Sequence, residues 1–182
     1  KEIVIERGKR EFQSCVALRH PHIIKALDFI DDENYLAIVL EYIEAESIED
    51  LLSAGPLPID EAVEVALAVA DALAYLHQEG LLHRDIKPAN VMRESDGRVI
   101  LMDFNLVYDT SMTALTQTGF IVGTPMYLAP ELLRGETYSE LTDIYSLGLL
   151  LWECLAGDAP EEVLVSVKDI IAVGHKKVPS IK

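Results

Sequence analysis

An acid, a cation and an amide stand close together in the segment His83-Arg84-Asp85-Ile86-Lys87-Pro88-Ala89-Asn90, and a second acid, Asp103, follows further along the chain. These residue types suit phosphoryl transfer. An Asp orients an attacking hydroxyl and takes its proton, and a Lys offsets the charge of a moving phosphoryl group. An Asn together with an Asp holds Mg2+ through oxygen ligands. Plainer roles exist for each: a loop Asp accepts backbone hydrogen bonds, Asn and Asp cap turns, and a Lys is a solvated surface cation. The charge distribution weighs against the last of these. Lys1, Arg7, Lys9, Arg10, Lys168, Lys176, Lys177 and Lys182 lie near the two ends, so few cations remain in between, and Arg84 and Lys87 are two of those few.

The elements that must position this segment are legible from periodicity and stop signals. Residues 7–19 place Phe12, Cys15, Val16 and Leu18 among charged neighbours, as a short amphipathic helix that ends before Pro21. Apolar runs at 23–30 and 35–43, parted by Asp31-Asp32-Glu33-Asn34, predict an antiparallel strand pair. After Gly55-Pro56-Leu57-Pro58, an Ala/Leu/Val-rich run with Asp60, Glu61 and Glu64 near its start and Gly80 past its end predicts a helix. It is apolar nearly all round and is therefore expected to be buried. Residues 91–93 and 98–102 flank Ser95-Asp96-Gly97 as a hairpin. The stretch 103–131 lacks periodicity and is rich in Ser and Thr, which predicts a long functional loop. A second very apolar helix is predicted over 139–157, stopping at Gly157, and an amphipathic one over 160–173.

Composition narrows the class. The 182 residues are half apolar and one quarter charged (25%). A chain of this size buries roughly 70% of its unfolded surface, enough for a core of its own. With 15 Lys and Arg against 31 Asp and Glu, the net charge of −16 repels nucleic-acid backbones and anionic lipid. Cys15 and Cys154 lack the paired spacing of a zinc site or disulfide framework, which fits a reducing compartment. The opening residues do not read as a signal peptide, so none is expected. The longest apolar run, 147–155, is too short to span a bilayer and is interrupted by Glu153. The expectation is a cytoplasmic segment with no nucleic-acid or membrane contact; its oligomeric state is not legible.

Taken in order, several motifs resemble the eukaryotic-type protein kinase family, most closely the serine/threonine kinases of bacteria. The catalytic-loop segment at 83–90 is followed by Asp103-Phe104-Asn105, in place of Asp-Phe-Gly. Gly123-Thr124-Pro125-Met126-Tyr127-Leu128-Ala129-Pro130-Glu131 is similar to the end of the activation segment. Asp143-Ile144-Tyr145-Ser146-Leu147-Gly148 is similar to the start of the long F helix. Arg19-His20-Pro21-His22-Ile23-Ile24 resembles the junction after the C helix, and Val39-Leu40-Glu41-Tyr42-Ile43 the last small-lobe strand running into the hinge. The resemblance implies an α+β, protein-kinase-like two-lobed fold. A truncated β-rich small lobe would occupy residues 1–42, with the C helix and the strands to the hinge, and a mainly helical large lobe 43–182, ending after the G helix. A Gly-rich loop is missing from the chain, which reads as part of a kinase domain.

The same resemblance assigns roles. Asp85 is the catalytic base and Lys87 its companion, the lysine marking Ser/Thr specificity; Asn90 and Asp103 hold Mg2+. ATP is the cofactor, its adenine edge meeting the Glu41 carbonyl and the Ile43 amide, with Leu40 as gatekeeper and Met92 beneath the ring. Glu11 stands where the C-helix Glu does, and Lys1 is its available partner. His83 and Phe104 join Cys15 in a hydrophobic spine, and Asp143 braces the catalytic loop. Asn105 replaces a Gly where left-handed backbone is common, and Asn follows Gly there more readily than other residues. His20, His22, His77 and His175 are given no site role. Phosphorylation at Thr116 or Thr118, in a segment that also holds Thr110, Ser111 and Thr113, is expected to order that loop and switch the enzyme on by pairing with Arg84, helped by Arg10 or Arg19, while Thr124 is a structural contact to Asp85 and Lys87. The partner is a protein substrate, with basic peptides favoured. The alternatives are a pseudokinase serving as a nucleotide-binding or scaffolding module, and a kinase-fold enzyme acting on a small metabolite.

Overall fold

The computed structural model describes residues 16, 18–32, 36–103 and 127–158. Two small sheets and two long helices organise them. Strand β1 (Ala26–Asp31) pairs antiparallel with β2 (Leu36–Leu40), in a register that sets Phe29 opposite Ile38 and carries a bulge between Ala26 and Asp28. The acidic turn expected between them falls partly on residues 33–35, which lie outside the described residues. Strand β3 (Ala45–Ser47) pairs antiparallel with β4 (Val91–Glu94), which pairs antiparallel with β5 (Val99–Leu101). Residues 41–44 run between the two sheets without regular structure.

A short parallel contact ties the region around β1 to the second sheet. The Ile24 N–H donates to the Leu101 carbonyl at 3.0 Å, and the Leu101 N–H to the His22 carbonyl at 2.9 Å. The chain after Pro21 is thereby fixed against the strand that leads to Met102 and Asp103.

The remaining elements are α1 (Ile48–Leu52), α2 (Ile59–Gln78), a single 3-10 turn at Pro88–Asn90, α3 (Pro130–Leu133) and α4 (Glu140–Ala156). Helix α1 is started by Ser47, whose Oγ accepts from the Asp50 N–H at 3.0 Å. This Ser-x-x-Asp cap is a local start signal; it, β3 and α3 are not among the elements expected from periodicity, because each is too short to show one.

Helix α2 carries Asp60 and Glu61 in its first turn, suiting the positive end of the helix dipole. Its buried face includes Val65, Val69, Leu73 and Leu76 and packs on α4 and β5. The expectation of burial all round is corrected here: Ile59, Val63 and Leu67 are 74%, 44% and 65% exposed. They recur every four residues along the helix, apart from the buried set.

Helix α4 begins at Ser139, whose N–H donates to Thr142 Oγ1 at 3.1 Å, and stops at Gly157 with φ +81°. That stop requires glycine twice over. The backbone is left-handed, and a Cβ there would meet Pro56 at 2.8 Å. The main core runs from Leu18 and Ile23 through Ile48, Leu73 and Val91 to Leu150 and Cys154. A smaller cluster of Leu128, Ala129 and Leu132 packs with Tyr138 and Tyr145. The helix expected over 7–19 falls mainly, and that over 160–173 wholly, outside the described residues.

Candidate active site

Between α2 and β4 the chain forms an irregular loop that ends in the 3-10 turn, and this stretch holds the expected acid, cation and amide. The Lys87 Nζ donates to Asp85 Oδ2 at 2.8 Å. The Asn90 Nδ2 donates to the same oxygen at 2.7 Å and to the Asp85 carbonyl at 2.8 Å. Asp85 therefore has its carboxylate clamped from two sides, while its side chain keeps 16% exposure and that of Lys87 24%. Pro88 starts the 3-10 turn with its ring set for helical φ, and this turn brings Asn90 back over Asp85. Asn90 is buried, and with its NH2 group spent on Asp85 its oxygen is the end suited to a cation.

Asp103 is brought beside this set through the backbone. The Met102 N–H donates to the Asn90 carbonyl at 2.8 Å, so the residue after Met102 emerges next to the turn. Asp103 is exposed and has φ +52°. Arg84 has φ +70°. Left-handed backbone is uncommon for residues with a Cβ and persists where the surroundings hold it. Here the two instances flank the clamped carboxylate. The Arg84 guanidinium lies over the Tyr138 ring, 5.4 Å from its centroid.

His83 is fully buried beneath the loop. One ring nitrogen, Nε2, lies 2.8 Å from the Met102 carbonyl and must carry the proton, since a carbonyl only accepts. The other, Nδ1, accepts from the Asp85 N–H at 3.3 Å. That assignment needs a neutral ring. Burial lowers the His83 pKa below its ordinary value, against the opposing pull of the Met102 hydrogen bond and the Asp143 carboxylate.

Asp143, in the first turn of α4, braces the loop as expected. Its Oδ2 accepts from the His83 N–H at 2.9 Å and its Oδ1 from the Arg84 N–H at 2.8 Å. A third donor was not legible in the sequence: His77 Nε2, in the last turn of α2, lies 2.9 Å from Asp143 Oδ2. Nothing in the spacing of His77 signals this, because the partners are far apart in the chain. His20 and His22 also find partners. The His20 ring stacks on Tyr75 at 5.1 Å with Nε2 3.2 Å from Asp71, and His22 Nδ1 lies 2.8 Å from the Val99 carbonyl.

The segment leading into α3 is anchored to the far end of α4. The Tyr127 hydroxyl donates to Glu153 Oε2, and the Tyr127 carbonyl accepts from Ser146 Oγ at 2.9 Å. Glu131 Oε1 accepts from Thr142 Oγ1 at 3.3 Å. Burial raises the pKa values of both Tyr127 and Glu153 and pushes the Cys154 thiol up to about 12.

The residues expected around adenine lie on two nearby segments. Leu40 ends β2 opposite Ala26; Glu41 and Ile43 follow in the irregular stretch; all three are half-buried. The Glu41 N–H donates to the Lys25 carbonyl at 2.9 Å, and its carboxylate accepts from the Lys25 N–H at 3.0 Å. Met92, half-buried, sits in β4 between Ser47 and Ile100. Lys1, Glu11, Cys15, Phe104, Asn105, Thr110, Ser111, Thr113, Thr116, Thr118 and Thr124 lie outside the described residues. Among the described residues no helix is long and apolar enough to cross a membrane.

The described residues thus bring together a clamped acid, a buried amide whose NH2 group is spent on that acid, and an adjoining exposed acid. Residues 1–174 match the model of the protein kinase domain, and the chain belongs to that family, whose phosphoryl donor is ATP. It is 38% identical over 160 residues to the serine/threonine-protein kinase PknB of Mycobacterium leprae, covering 85% of this chain and 26% of that protein. To the serine/threonine-protein kinase PrkC of Bacillus subtilis it is 34% identical over 179 residues, 98% of this chain and 28% of the relative. A probable serine/threonine-protein kinase of Streptomyces coelicolor is 39% identical over 171 residues, covering 86% of this chain and 25% of the relative. The chain thus spans about a quarter of the length of these relatives.

Proposed function

We propose that this chain is part of a serine/threonine protein kinase that transfers the γ-phosphoryl group of ATP to a protein Ser or Thr hydroxyl. The observation that carries the reading is the Asp85 carboxylate held at one oxygen by both Lys87 and Asn90. In this reading the substrate hydroxyl oxygen bonds to the γ-phosphorus as the bond to the β,γ-bridging oxygen breaks. Asp85 takes the hydroxyl proton and ADP leaves. Such chemistry depends chiefly on positioning and charge stabilisation, which a pre-clamped carboxylate serves.

The Asn90 oxygen and the Asp103 carboxylate form an oxygen donor set that fits Mg2+, which when bound offsets phosphate charge. Lys87, beside the acid, offsets charge on the moving group. Leu40, Glu41, Ile43 and Met92 would take adenine, and Lys1 with Glu11 would complete the phosphate side. The proposal divides the chain into a partial small lobe over 1–42 and a large lobe over 43–182, working in the cytoplasm.

The test is Asp85→Asn in the full-length protein with labelled ATP and Mg2+. Phosphate incorporation is expected to fall by about 10³-fold or more, with the circular dichroism spectrum unchanged. Unchanged incorporation would remove Asp85 from the mechanism. Nucleotide binding without any turnover in the unaltered protein would favour the pseudokinase role.

Substrate choice follows from charge. Most of the 31 acids lie between residues 11 and 167, so basic peptides are favoured through long-range attraction. Raising the salt from about 0.05 M to 0.5 M is then expected to raise the KM for a basic peptide several-fold while leaving that for a neutral one alone. Equal turnover of acidic and basic peptides at low salt would sink this part.

A further inference from the structure

One side chain of the β4–β5 hairpin reaches both the stretch before β1 and the residue after β2. Arg98 stands immediately before β5. The Glu94 N–H donates to the Arg98 carbonyl at 2.9 Å and the Arg98 N–H to Asp96 Oδ1 at 2.9 Å, so its backbone is fixed within the hairpin. Its guanidinium then makes three contacts. Nη1 donates to Glu94 Oε2 at 3.2 Å, Nε donates to the Pro21 carbonyl at 3.1 Å, and Nη2 lies 3.8 Å from Glu41 Oε1. A lysine would bring its charge as a single point, without the separate Nε–H that meets Pro21.

Two of the residues proposed to take adenine lie at the two ends of this link. Met92 pairs with Ile100 in the same hairpin, two residues from Arg98, and Glu41 is the residue that Arg98 reaches. Residues 41–44 have no regular structure, so side-chain bonds take part in setting the Glu41 backbone. Its N–H donates to the Lys25 carbonyl at 2.9 Å, and its Oε1, the oxygen facing Arg98, also accepts from the Lys25 N–H at 3.0 Å. The carboxylate is thus shared between the approach to β1 and the hairpin. We infer that Arg98 is a positioning residue for the nucleotide: by tying the β4–β5 hairpin to Pro21 and Glu41, it sets the Glu41 backbone relative to Met92 and hence the fit of adenine between them. This rests on the proposed adenine assignment and not on phosphoryl transfer.

The Arg98 side chain is 37% exposed, so the effect is modest; an exposed ion pair shifts an equilibrium by no more than about 5-fold. Three probes, bound to the full-length protein with Mg2+ and followed by calorimetry, separate the adenine side from the phosphate side: ATP, adenosine and inorganic triphosphate. In Arg98→Met, which keeps the apolar stem, the Kd values for ATP and adenosine are both expected to rise about 3- to 5-fold, with that for triphosphate within about 1.5-fold. Amide exchange at Lys25 and Glu41 quickens by a similar factor, while exchange at Ile100 stays unchanged. In turnover, the KM for ATP rises with the Kd and kcat stays within about 2-fold. Adding Glu41→Gln to Arg98→Met weakens adenosine no further than the worse single change, because both break one link.

Equal weakening of adenosine and triphosphate in Arg98→Met overturns the inference, since that pattern is a general loss of structure or of local charge. So does an unchanged affinity for adenosine, unchanged exchange at Lys25 and Glu41, or fold-changes that multiply in the double variant. Failure of the unaltered protein to bind adenosine also overturns it, because there is then no adenine fit to set. Binding of ATP and adenosine without any transfer overturns the kinase reading by itself, and the affinities alone decide the role of Arg98.

Discussion

Two buried carboxylates stand near opposite ends of α4, and the structure uses them in opposite ways. Asp143 lies in the first turn, where the helix dipole favours negative charge, and it receives N–H groups from His83, Arg84 and His77. Glu153 lies near the C-terminal end, where the dipole opposes charge, and it receives the Tyr127 hydroxyl. Burial raises the Glu153 pKa further than that hydrogen bond lowers it. The first carboxylate is an organiser of backbone. The second behaves more as a polar packing group joining the segment before α3 to the core. The same helix thus places charge where donors converge and suppresses it where they do not.

The largest effect is expected from Asp143→Asn. All three groups around this carboxylate are donors, so an amide offers them one acceptor oxygen and one competing NH2 group. Stability in urea is expected to fall by about 2–4 kcal/mol, with phosphotransfer lost at least 10²-fold. A loss below about 1 kcal/mol would break the contrast, because Asp143 would then be no more demanding than Glu153.

An intermediate effect belongs to His83, the neutral ring held against the same loop. Its pKa is lowered in the folded protein, so as pH falls the unfolded chain takes up the proton first. Stability at this group is therefore intact above the unfolded pKa of about 6.5 and is lost as pH falls below it, by at most about 1.4 kcal/mol per pH unit. Urea unfolding from pH 7.5 to 5 checks this, with His83→Phe, which has no proton to gain, expected to show a shallower slope. Equal slopes in the two proteins would show that the buried ring does not resist protonation.

The smallest effect is expected from Glu153→Gln, which imitates the protonated acid and still accepts from Tyr127. The change at neutral pH should stay within about 1 kcal/mol. Its sign with pH is opposite to that of His83. A raised carboxylate pKa means that the folded chain takes up the proton first as pH falls, so Glu153 weakens the fold as pH rises through the interval above its ordinary value of 4.5. The difference in stability between the unaltered protein and Glu153→Gln should therefore shift in favour of the Gln variant on going from pH 4.5 to 7. A difference that does not change with pH would mean that Glu153 titrates as an ordinary carboxylate.

Much of the site was legible because its parts are adjacent in the chain. Asp85, Lys87 and Asn90 meet within a single turn, so their spacing already implied their contact. Among the described residues, left-handed backbone at residues other than glycine falls on Arg84 and Asp103, while Asn105, expected to follow it, lies outside them. Positive φ at such residues is imposed by bonds made elsewhere, as at Arg84 by Asp143.

Local sequence determined the two long helices, their stops at Gly80 and Gly157, the strand pair, the hairpin and the irregular loop before β4, because caps, turns and apolar periods act between near neighbours. Only the tertiary structure decided that His77 meets Asp143, that Tyr127 meets Glu153, that Ser47 and its neighbours form a strand against β4, and that one apolar face of α2 stays exposed. Each of these depends on which distant surface is packed against which. An isolated imidazole, carboxylate or leucine looks the same in the chain whether that surface reaches it or not, since burial and directed hydrogen bonding are set by three-dimensional proximity and leave no periodic trace.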